Sequence, residues 1–335
     1  MKLRTSFLVR STLGLAAGGL AFLAACSKSD QAPAASSSAP ADSGKKTITV
    51  GFAQTGAESG WRGANTESIK SEAAKRGINL KITFADEALD KEIASVRNFI
   101  TQKVDAIVIA PVQSDGWDQV LKEAKDANIP VIIEDRSLSA DKSLYAGFIG
   151  SDFMKQGHMA AAWLVKATGG KGRILEISGE PGSAAAEDRK KAFAEGIAAT
   201  PALTIIDSQT GHFHIDEGKQ VMEAFIKKHG KDWDILYAHN DDMALGAIQA
   251  LEEAGMKPGK DVMIVSVDGE KKAIQDIVDG KINVVVECNP MTGPLVFDAV
   301  EKVLAKQSIP AITYNNDQVF DQTNAAEVLK APRSY

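Results

Sequence analysis

The chain has 335 residues, of which 24% are charged and 44% hydrophobic, a globular composition that excludes fibrous, collagen-like and wholly disordered proteins. Its formal net charge is −6, and the residues after position 25 hold 35 basic against 44 acidic side chains, a surface that disfavours nucleic-acid binding. The length favours two domains, and a cleft between two domains is a common place for a ligand.

The N-terminal segment has the order of a secretory signal. Lys2, Arg4 and Arg10 precede an apolar run that is too short to span a bilayer core of about 30 Å. The run ends in Leu-Ala-Ala before Cys26, which resembles the lipobox of bacterial lipoproteins; a plain signal peptide followed by a chance cysteine is the alternative. We predict a signal peptide over residues 1–25 and a lipid on Cys26, so that the exported protein is anchored to a membrane, in the periplasm or at the cell surface.

The segment after this cysteine predicts a flexible tether. Residues 27–46 are rich in Ser, Ala and Pro and have no apolar periodicity, so together with the lipidated Cys26 they form a predicted tether over 26–46. Folded sequence is expected from Thr47. Cys288 is the only other cysteine, which excludes an intramolecular disulfide within the exported domains.

From Thr47 onward, short β-branched runs alternate with amphipathic stretches, the pattern of βαβ units in a parallel sheet. The predicted strands are almost wholly apolar, which indicates burial on both faces; they are 48–53, 80–85, 106–111, 130–134, 173–177, 203–207, 235–239, 262–267 and 283–287. Asp152 is a predicted helix N-cap, and Gly77 and Gly255 are predicted to end helices. The pattern predicts an α/β fold with two doubly wound parallel-sheet lobes.

The order of the units also predicts how the chain divides between the lobes. Residues 47–150 and 289–310, with a helix over 292–306, are expected in the N-terminal lobe. Residues 151–288 and 311–335 are expected in the C-terminal lobe. Three crossings between the lobes would form a three-stranded hinge, about which the lobes would close on a ligand.

Ligands of doubly wound sheets bind beyond the carboxyl ends of the strands. The polar and aromatic residues at these positions are Glu58, Ser59, Trp61, Arg62, Asp135, Arg136, Asn240, Asp268 and Glu287, with Arg189 near the start of a later helix. Carboxylates accept hydrogen bonds, guanidinium groups donate them and an aromatic face covers C–H groups, so the set predicts a neutral, hydroxyl-rich ligand. Structural alternatives are a surface ion pair for Asp135 and Arg136, an Asx-turn at Asp268 and a core position for Trp61.

Motifs for catalysis and cofactors fit this sequence poorly. Ser59 lies one place too late for the G-x-S-x-G elbow, and neither a P-loop nor a G-x-G-x-x-G motif follows the first strand. His212 and His214 have no Cys or His spaced to complete a metal site, so a solvated loop is favoured. We predict no catalytic residue, no metal and no cofactor.

Several dense motifs resemble one family. They are Val50-Gly51-Phe52 with Glu58-Ser59-Gly60-Trp61-Arg62, the runs 104–111 and 121–127, and Tyr237-Ala238-His239-Asn240-Asp241-Asp242-Met243. Through them, residues 47–305 resemble the type I periplasmic sugar-binding proteins of ABC importers, which include ribose- and galactose-binding proteins, and most of all the galactofuranose-binding members. The resemblance implies the type I periplasmic binding protein fold.

The resemblance also implies roles for particular residues. Glu58, Ser59, Trp61, Arg62, Asp135 and Arg136 match the first-lobe ligand contacts; Arg189, Asn240, Asp268 and Glu287 match those of the second lobe; and Phe213 matches an aromatic residue beside the sugar. Glu134 and Cys288 depart from the family pattern and leave the exact sugar open.

The implied function is a monomeric, non-enzymatic solute-binding protein. It captures a monosaccharide, galactofuranose or a related furanose or hexose, and delivers it to the permease subunits of an ABC transporter. Three alternatives remain at this point: an exported sugar sensor that feeds a signalling receptor, the effector domain of a repressor, and a carbohydrate-active enzyme that uses two of the carboxylates. A repressor needs a helix-turn-helix upstream, where this sequence has an export signal.

Overall fold

The computed structural model describes residues 47–331 and 335, so the predicted signal peptide, Cys26 and tether lie outside the described residues. The strands are β1 Thr49–Gln54, β2 Asn79–Phe84, β3 Ala106–Ile109, β4 Val131–Asp135, β5 Gly147–Gly150, β6 Gly172–Ser178, β7 Leu203–Thr210, β8 Ile235–Ala238, β9 Met263–Asp268, β10 Val284–Glu287, β11 Ile312–Tyr314 and β12 Val319–Asp321. The helices are α1 Gly60–Arg76, α2 Leu89–Thr101, α3 Asp118–Asp126, α4 Phe153–Thr168, α5 Ala184–Ile197, α6 Ile215–His229, α7 Asp241–Glu253, α8 Lys271–Val278, α9 Gly293–Leu304 and α10 Ala325–Val328, and a 3₁₀ turn covers Lys142–Leu144. In residues 47–331, no helix combines the length and the hydropathy needed to cross a membrane.

The strands form two six-stranded sheets, each of which defines one lobe with the helices that cover it. The first sheet has the order β11-β5-β4-β3-β1-β2 and the second the order β12-β10-β9-β8-β6-β7. Strand pairing is parallel throughout except between β10 and β12. The prediction of two doubly wound parallel-sheet lobes is confirmed. In each sheet the order reverses beside the first strand, β1 or β6, where a crevice opens at the carboxyl ends of the strands.

Each sheet has its own apolar core because helices cover both of its faces. In the first lobe, Phe99 and Trp117 belong to the cluster on one face, and Val50 and Phe297 to the cluster on the other. Trp117 is fully buried and is therefore a core residue of this lobe. A single large cluster fills the second lobe. The edge strands β2 and β7 are only partly buried, because one side of each has no neighbouring strand.

The predicted helix ends are confirmed. The side chain of Asp152 accepts a hydrogen bond from the backbone N–H of Lys155 at 2.9 Å, as an N-cap does. Gly77 caps α1 in the left-handed conformation, at φ 67°, and Gly255 follows the last turn of α7 at φ 70°. These local signals depend on neighbouring residues alone, so the sequence predicts them well.

The chain crosses between the lobes three times, but the third crossing differs from the prediction. Helix α9 packs on the first sheet through Val296 and Phe297, as expected. The assignment of all residues from 311 onward to the second lobe was wrong, because β11 pairs with β5 in the first sheet, with Ile312 opposite Phe148. The crossing therefore follows Tyr314. Strands β5, β11 and β12 were not predicted: β5 begins and ends with glycine and has only two apolar residues between, and β11 and β12 have three residues each, too few to show a period.

Two helical glycines provide a test of the packing between α6 and α7. A Cβ on Gly246 would lie 1.9 Å from the carbonyl oxygen of Ile215, whereas a Cβ on the exposed Gly63 would meet nothing within 4 Å. We expect Gly246→Ala to lower the free energy of unfolding by about 1–3 kcal/mol because backbone must move. The matched Gly63→Ala should raise it by about 0.5–1 kcal/mol through helix propensity. Urea unfolding followed by circular dichroism measures both; equal effects would contradict the close approach of α6 and α7.

Candidate functional site

The carboxyl ends of the strands bring ten of the eleven predicted ligand contacts to one pocket between the two sheets. The first lobe contributes its residues from the β1–α1 loop, the start of α1 and the end of β4. The second lobe contributes residues from α5, the loop before α6, and the ends of β8 and β9. The pocket is lined by Glu58, Ser59, Trp61, Arg62, Asp135, Arg136, Phe153, Ala185, Arg189, Phe213, Asn240, Asp268 and Cys288.

Four charged side chains of the first lobe form a buried group, here called the charge cluster: Glu58, Arg62, Asp135 and Arg136. Arg62 donates from Nε to Glu58 Oε1 at 2.9 Å, and its Nη2 lies 2.7 Å from Asp135 Oδ2. Arg136 lies 3.4 Å from Glu58 Oε1 and 3.7 Å from Asp135 Oδ2. All four side chains are at most 5% exposed, so each arginine depends on both carboxylates for compensation of its charge.

The local sequence at the start of α1 explains how Glu58 and Arg62 are positioned in this cluster. Ser59 accepts a hydrogen bond at Oγ from the backbone N–H of Arg62 at 3.0 Å and so fixes the start of the helix. Arg62 then lies in the first turn, four residues after Glu58. Burial opposes ionisation of Glu58, but the positive charges of Arg62 and Arg136 outweigh it and hold its pKa below the usual value.

Three arginines of the pocket each lie over an aromatic ring. The guanidinium carbon of Arg62 is 4.8 Å from the ring centre of Trp61, and that of Arg136 is 5.3 Å from the ring of Phe213. In the third pair, Arg189 lies 5.1 Å from the ring of Phe153. Stacking holds the planar guanidinium groups in place, which leaves their N–H edges directed for hydrogen bonding.

In the second lobe, Arg189 is held from several sides. It donates from Nη1 to the carbonyl oxygen of His239 at 2.7 Å and from Nε to Gln156 Oε1 at 2.9 Å. Its Nη2 lies 3.5 Å from Asp268 Oδ1. Burial raises the pKa of Asp268 well above its usual value and nearby acidic groups add to the rise, while Arg189 opposes it.

Asn240 has a structural role in addition to its predicted contact with a ligand. Its Oδ1 accepts from the backbone N–H of Met243 at 3.0 Å and caps α7, while its Nδ2 donates to the carbonyl oxygen of Phe213 at 3.1 Å. The same amide therefore holds the loop that carries the Phe213 ring against the start of α7. One N–H of Asn240 remains for a ligand.

Three of the nine non-glycine residues with a positive φ in the described part of the chain line the pocket. Asp135, Phe213 and Asp268 have φ values of 61°, 70° and 129°, in a region that side chains other than glycine rarely adopt. Such residues cost about 1–3 kcal/mol each and are retained where the surrounding structure or function requires them. The strain turns each of these side chains out of the strand or loop direction and into the pocket.

Two polar atoms in the pocket point to a hydrogen-bonding ligand. Glu58 Oε2 and Arg62 Nη1 are buried and have no hydrogen-bond partner within the described part of the chain. One is an acceptor and the other a donor, and they belong to neighbouring side chains. A buried polar group without a partner costs about 1–3 kcal/mol, which a ligand hydroxyl that both donates and accepts would recover.

Glu287 is the predicted contact that the structure places elsewhere. Its side chain accepts from the hydroxyl of Tyr335 at 3.0 Å, and it does not line the pocket. Side chains alternate along the extended chain, so the next residue, Cys288, faces the pocket instead. The carbonyl oxygen of Cys288 accepts from Trp61 Nε1 at 2.6 Å. Of these two neighbours, Cys288 rather than Glu287 lines the pocket, and a ligand contact by Glu287 stays a prediction.

Sequence reasoning also missed three lining residues and one supporting network. Phe153, Ala185 and Cys288 are apolar or thiol side chains, which polar patterning at strand ends does not select. Glu134, which departs from the family pattern, lies behind the pocket, where its Oε1 accepts from Asn65 and Thr292 at 2.6 Å each. Burial, followed by the neighbouring Asp135, raises the pKa of Glu134 above its usual value.

Direct contacts join the two lobes across the cleft. The backbone N–H of Gly60 donates to Asp242 Oδ2 at 2.9 Å, and the N–H of Ser114 donates to the carbonyl oxygen of Gly182 at 3.0 Å. Trp61, on α1 of the first lobe, packs into the apolar cluster of the second lobe. The structure is therefore a closed arrangement of the lobes around the pocket.

Comparisons with known proteins agree with this fold and pocket. The family model for the periplasmic binding protein domain matches residues 50–308. The galactofuranose-binding protein YtfQ of Escherichia coli is 47% identical over 293 residues, covering 86% of this chain and 92% of that protein. These two matches extend over nearly all of the described chain.

Similar solved structures agree with the family match. The periplasmic binding protein of an arabinose ABC transporter from Shewanella, bound to α- and β-L-arabinofuranose, is 45% identical, with a TM-score of 0.82 and coverage of 84% of this chain and 95% of that one. A protein from Mycobacterium smegmatis in complex with β-D-fucofuranose is 47% identical, with a TM-score of 0.83 and coverage of 85% and 94%. On the evidence of the two-lobed fold, the family match and these relatives, the chain belongs to the periplasmic binding protein family.

Proposed function

We propose that this protein binds a monosaccharide in its furanose form, galactofuranose or a closely related sugar, between its two lobes and delivers it to an ABC transporter. The observation that carries the proposal is the pair of buried atoms Glu58 Oε2 and Arg62 Nη1, an unpartnered acceptor and an unpartnered donor on two neighbouring side chains of a pocket that is also lined by aromatic rings. A vicinal diol of a sugar matches this pair, because each hydroxyl both accepts and donates.

The charge distribution supports a neutral ligand. Arg62 and Arg136 already lie against Glu58 and Asp135, and Arg189 lies beside Asp268. A phosphate or a sugar acid needs cationic groups that are free to pair with it, and here it would have to compete with these carboxylates. Trp61, Phe153 and Phe213 provide apolar ring surface for the C–H groups of the sugar.

The relatives support the furanose ring. YtfQ is a galactofuranose-binding protein, and the two solved relatives hold arabinofuranose and fucofuranose. These three sugars differ in their exocyclic groups and share a five-membered ring. We infer that the charge cluster recognises the hydroxyls of this ring, whereas Cys288 and Ala185, at the other side of the pocket, meet the part that varies.

Membership of the family implies an exported, periplasmic protein with an ABC transporter as its partner. We further propose that the protein acts as a monomer, changes no bond in its ligand and is held to a membrane by a lipid on Cys26. The lobes would close on the sugar and open to release it, since contacts such as that from Gly60 to Asp242 exist only when the lobes meet.

The ring form is tested with locked sugar analogues. We expect 1,4-anhydro-D-galactitol, a fixed five-membered ring, to bind more tightly than 1,5-anhydro-D-galactitol, a fixed six-membered ring, in isothermal titration calorimetry. D-galactose, L-arabinose and D-fucose should bind, and D-galactose 6-phosphate should not. The NMR spectrum of the sugar recovered after incubation with the protein should be unchanged. Cleavage of a galactofuranosyl disaccharide would instead indicate that the protein is an enzyme. Tighter binding of the six-membered ring would contradict the furanose assignment.

Two tryptophans at helix starts separate binding from folding. Trp61 makes its contacts across the cleft, whereas Trp117 is buried within the first lobe. We expect Trp61→Ala to weaken L-arabinose binding at least about tenfold while the ligand-free free energy of unfolding changes little. Trp117→Ala should instead lower that free energy by about 3–5 kcal/mol. If Trp61→Ala destabilises the ligand-free protein as much as Trp117→Ala does, Trp61 is a core residue and its assignment as a sugar contact fails.

The lipid anchor on Cys26 is tested by mass spectrometry. The protein expressed with its full N-terminal sequence in a bacterium should be recovered from the membrane fraction with Cys26 as its first residue and with acyl chains attached. Cys26→Ser should leave the sugar affinity unchanged and abolish both the modification and the membrane retention. An unmodified Cys26 in the native protein would show that this segment is a plain signal peptide.

A further inference from the structure

The three crossings between the lobes lie side by side and carry a buried carboxylate. The first crossing joins β5 to α4 through Ser151, the second joins β10 to α9 through Asn289, and the third joins β11 to β12 through Asp317. Asp317 is only 7% exposed although it lies in a short connection between two strands. A charged residue in such a place needs hydrogen-bond partners nearby.

Asp317 finds partners in both other crossings. Its Oδ1 accepts from the backbone N–H of Asn289 at 3.2 Å. A hydrogen bond from the side chain of Ser151 reaches the same carboxylate. Asn315, two residues earlier, donates from Nδ2 to the carbonyl oxygen of Asn289 at 2.9 Å and lies 3.4 Å from Ser151 Oγ. One small polar group thus connects all three strands of the hinge.

A second polar side chain links this hinge group to the pocket. Gln156 is fully buried on α4 and donates from Nε2 to Asp317 Oδ2 at 2.8 Å and to the carbonyl oxygen of Glu287 at 3.2 Å. Its Oε1 accepts from Arg189 Nε at 2.9 Å. The amide has two acceptors on one side and a donor on the other, so only one orientation satisfies it.

We propose that Gln156 and Asp317 are positioning residues, which couple the pocket side chain Arg189 to the three crossings of the hinge and so favour the closed arrangement of the lobes, both without sugar and, more strongly, when sugar is bound. The inference rests on the proposed function for the identity of the ligand. The chain of hydrogen bonds from Arg189 through Gln156 to Asp317 does not depend on that identity.

The physical basis of this coupling is that the hydrogen bonds from Arg189 through Gln156 to Asp317 are buried and that the polar groups of Gln156 all have partners. Hydrogen bonds to charged groups are stronger than those between neutral groups, and stronger still when water is excluded. Burial raises the pKa of Asp317, and the hydrogen bonds from Gln156, Ser151 and Asn289 oppose that rise. When the lobes rotate, the crossings change direction and their distances to Asp317 change. A sugar that holds Arg189 in place also holds Gln156, and hence favours one lobe angle.

Exchange of the two polar groups tests the proposal. Gln156→Glu places a second carboxylate against that of Asp317. Asp317→Asn places an amide N–H against N–H groups that donate to Asp317 in the parent. In the double variant, the carboxylate at position 156 accepts from the amide at position 317 and from Arg189, while the hydrogen bond to the carbonyl oxygen of Glu287 is replaced by a contact between two oxygens. A rescue of this kind requires the two side chains to act together. Trp163→Phe is the matched control, because it removes a 2.9 Å hydrogen bond from α4 to Asp321 within the second lobe.

We expect each single variant to bind L-arabinose at least about tenfold more weakly than the parent, mainly through faster dissociation in stopped-flow fluorescence. The double variant should lie within about threefold of the parent, and Trp163→Phe within about twofold. Small-angle scattering of the sugar-free protein gives an independent measure, in which the single variants should have a larger radius of gyration than the parent and the double variant should not.

Each outcome decides one of the two proposals. Single variants that match the parent in both measurements would overturn the coupling, as would a double variant in which the two single effects simply add. A parent that does not bind L-arabinose would count against the proposed function, while the scattering comparison would still decide the role of Gln156 and Asp317.

Discussion

The buried charge of Arg62 and Arg136 is the constraint on which the rest of the cleft depends. A guanidinium group removed from water must be paired, since an uncompensated charge in a protein interior is costly. Glu58 and Asp135 provide that pairing from two different segments, the β1–α1 loop and the end of β4. These two segments are therefore held in register by their charges. The same requirement leaves hydrogen-bonding atoms directed to the cleft, which a hydroxylated ligand can use.

The sheets make this arrangement possible. Parallel strands end at one edge, so residues that follow β1, β4, β8 and β9 meet although they are far apart in sequence. Positive φ angles at Asp135 and Asp268 turn the last side chains of β4 and β9 toward the other lobe. The stability of two large apolar cores supports this local strain. Rigid lobes thus carry a pocket whose two halves meet only on closure.

Closure of the two lobes links ligand binding to a change in the angle between them. A ligand shifts the equilibrium between open and closed lobes only by the difference in its affinity for the two states. In this protein the charged side chains that line the pocket are divided, with the charge cluster in the first lobe and Arg189 and Asp268 in the second. The full set of hydrogen bonds exists only in the closed state, and the buried polar contacts at the hinge lie directly behind Arg189.

Much of the fold and of the pocket follows from local sequence. The apolar runs of the central strands, the cap at Asp152 and the glycine at position 77 depend on neighbouring residues, and the strand-end rule then brings eight pocket residues together. Arg189, near a helix start, and Phe213, from the family resemblance, complete the ten predicted residues that line the pocket. Tertiary structure alone decided features without a local signal. Strand β11 joins the first sheet because of its pairing with β5, and Cys288 replaces Glu287 in the pocket because one step along an extended chain reverses the side-chain direction. The contact between Gln156 and Asp317 joins residues 161 positions apart, and no pattern of spacing reveals a hydrogen bond that exists only when three separate crossings lie together.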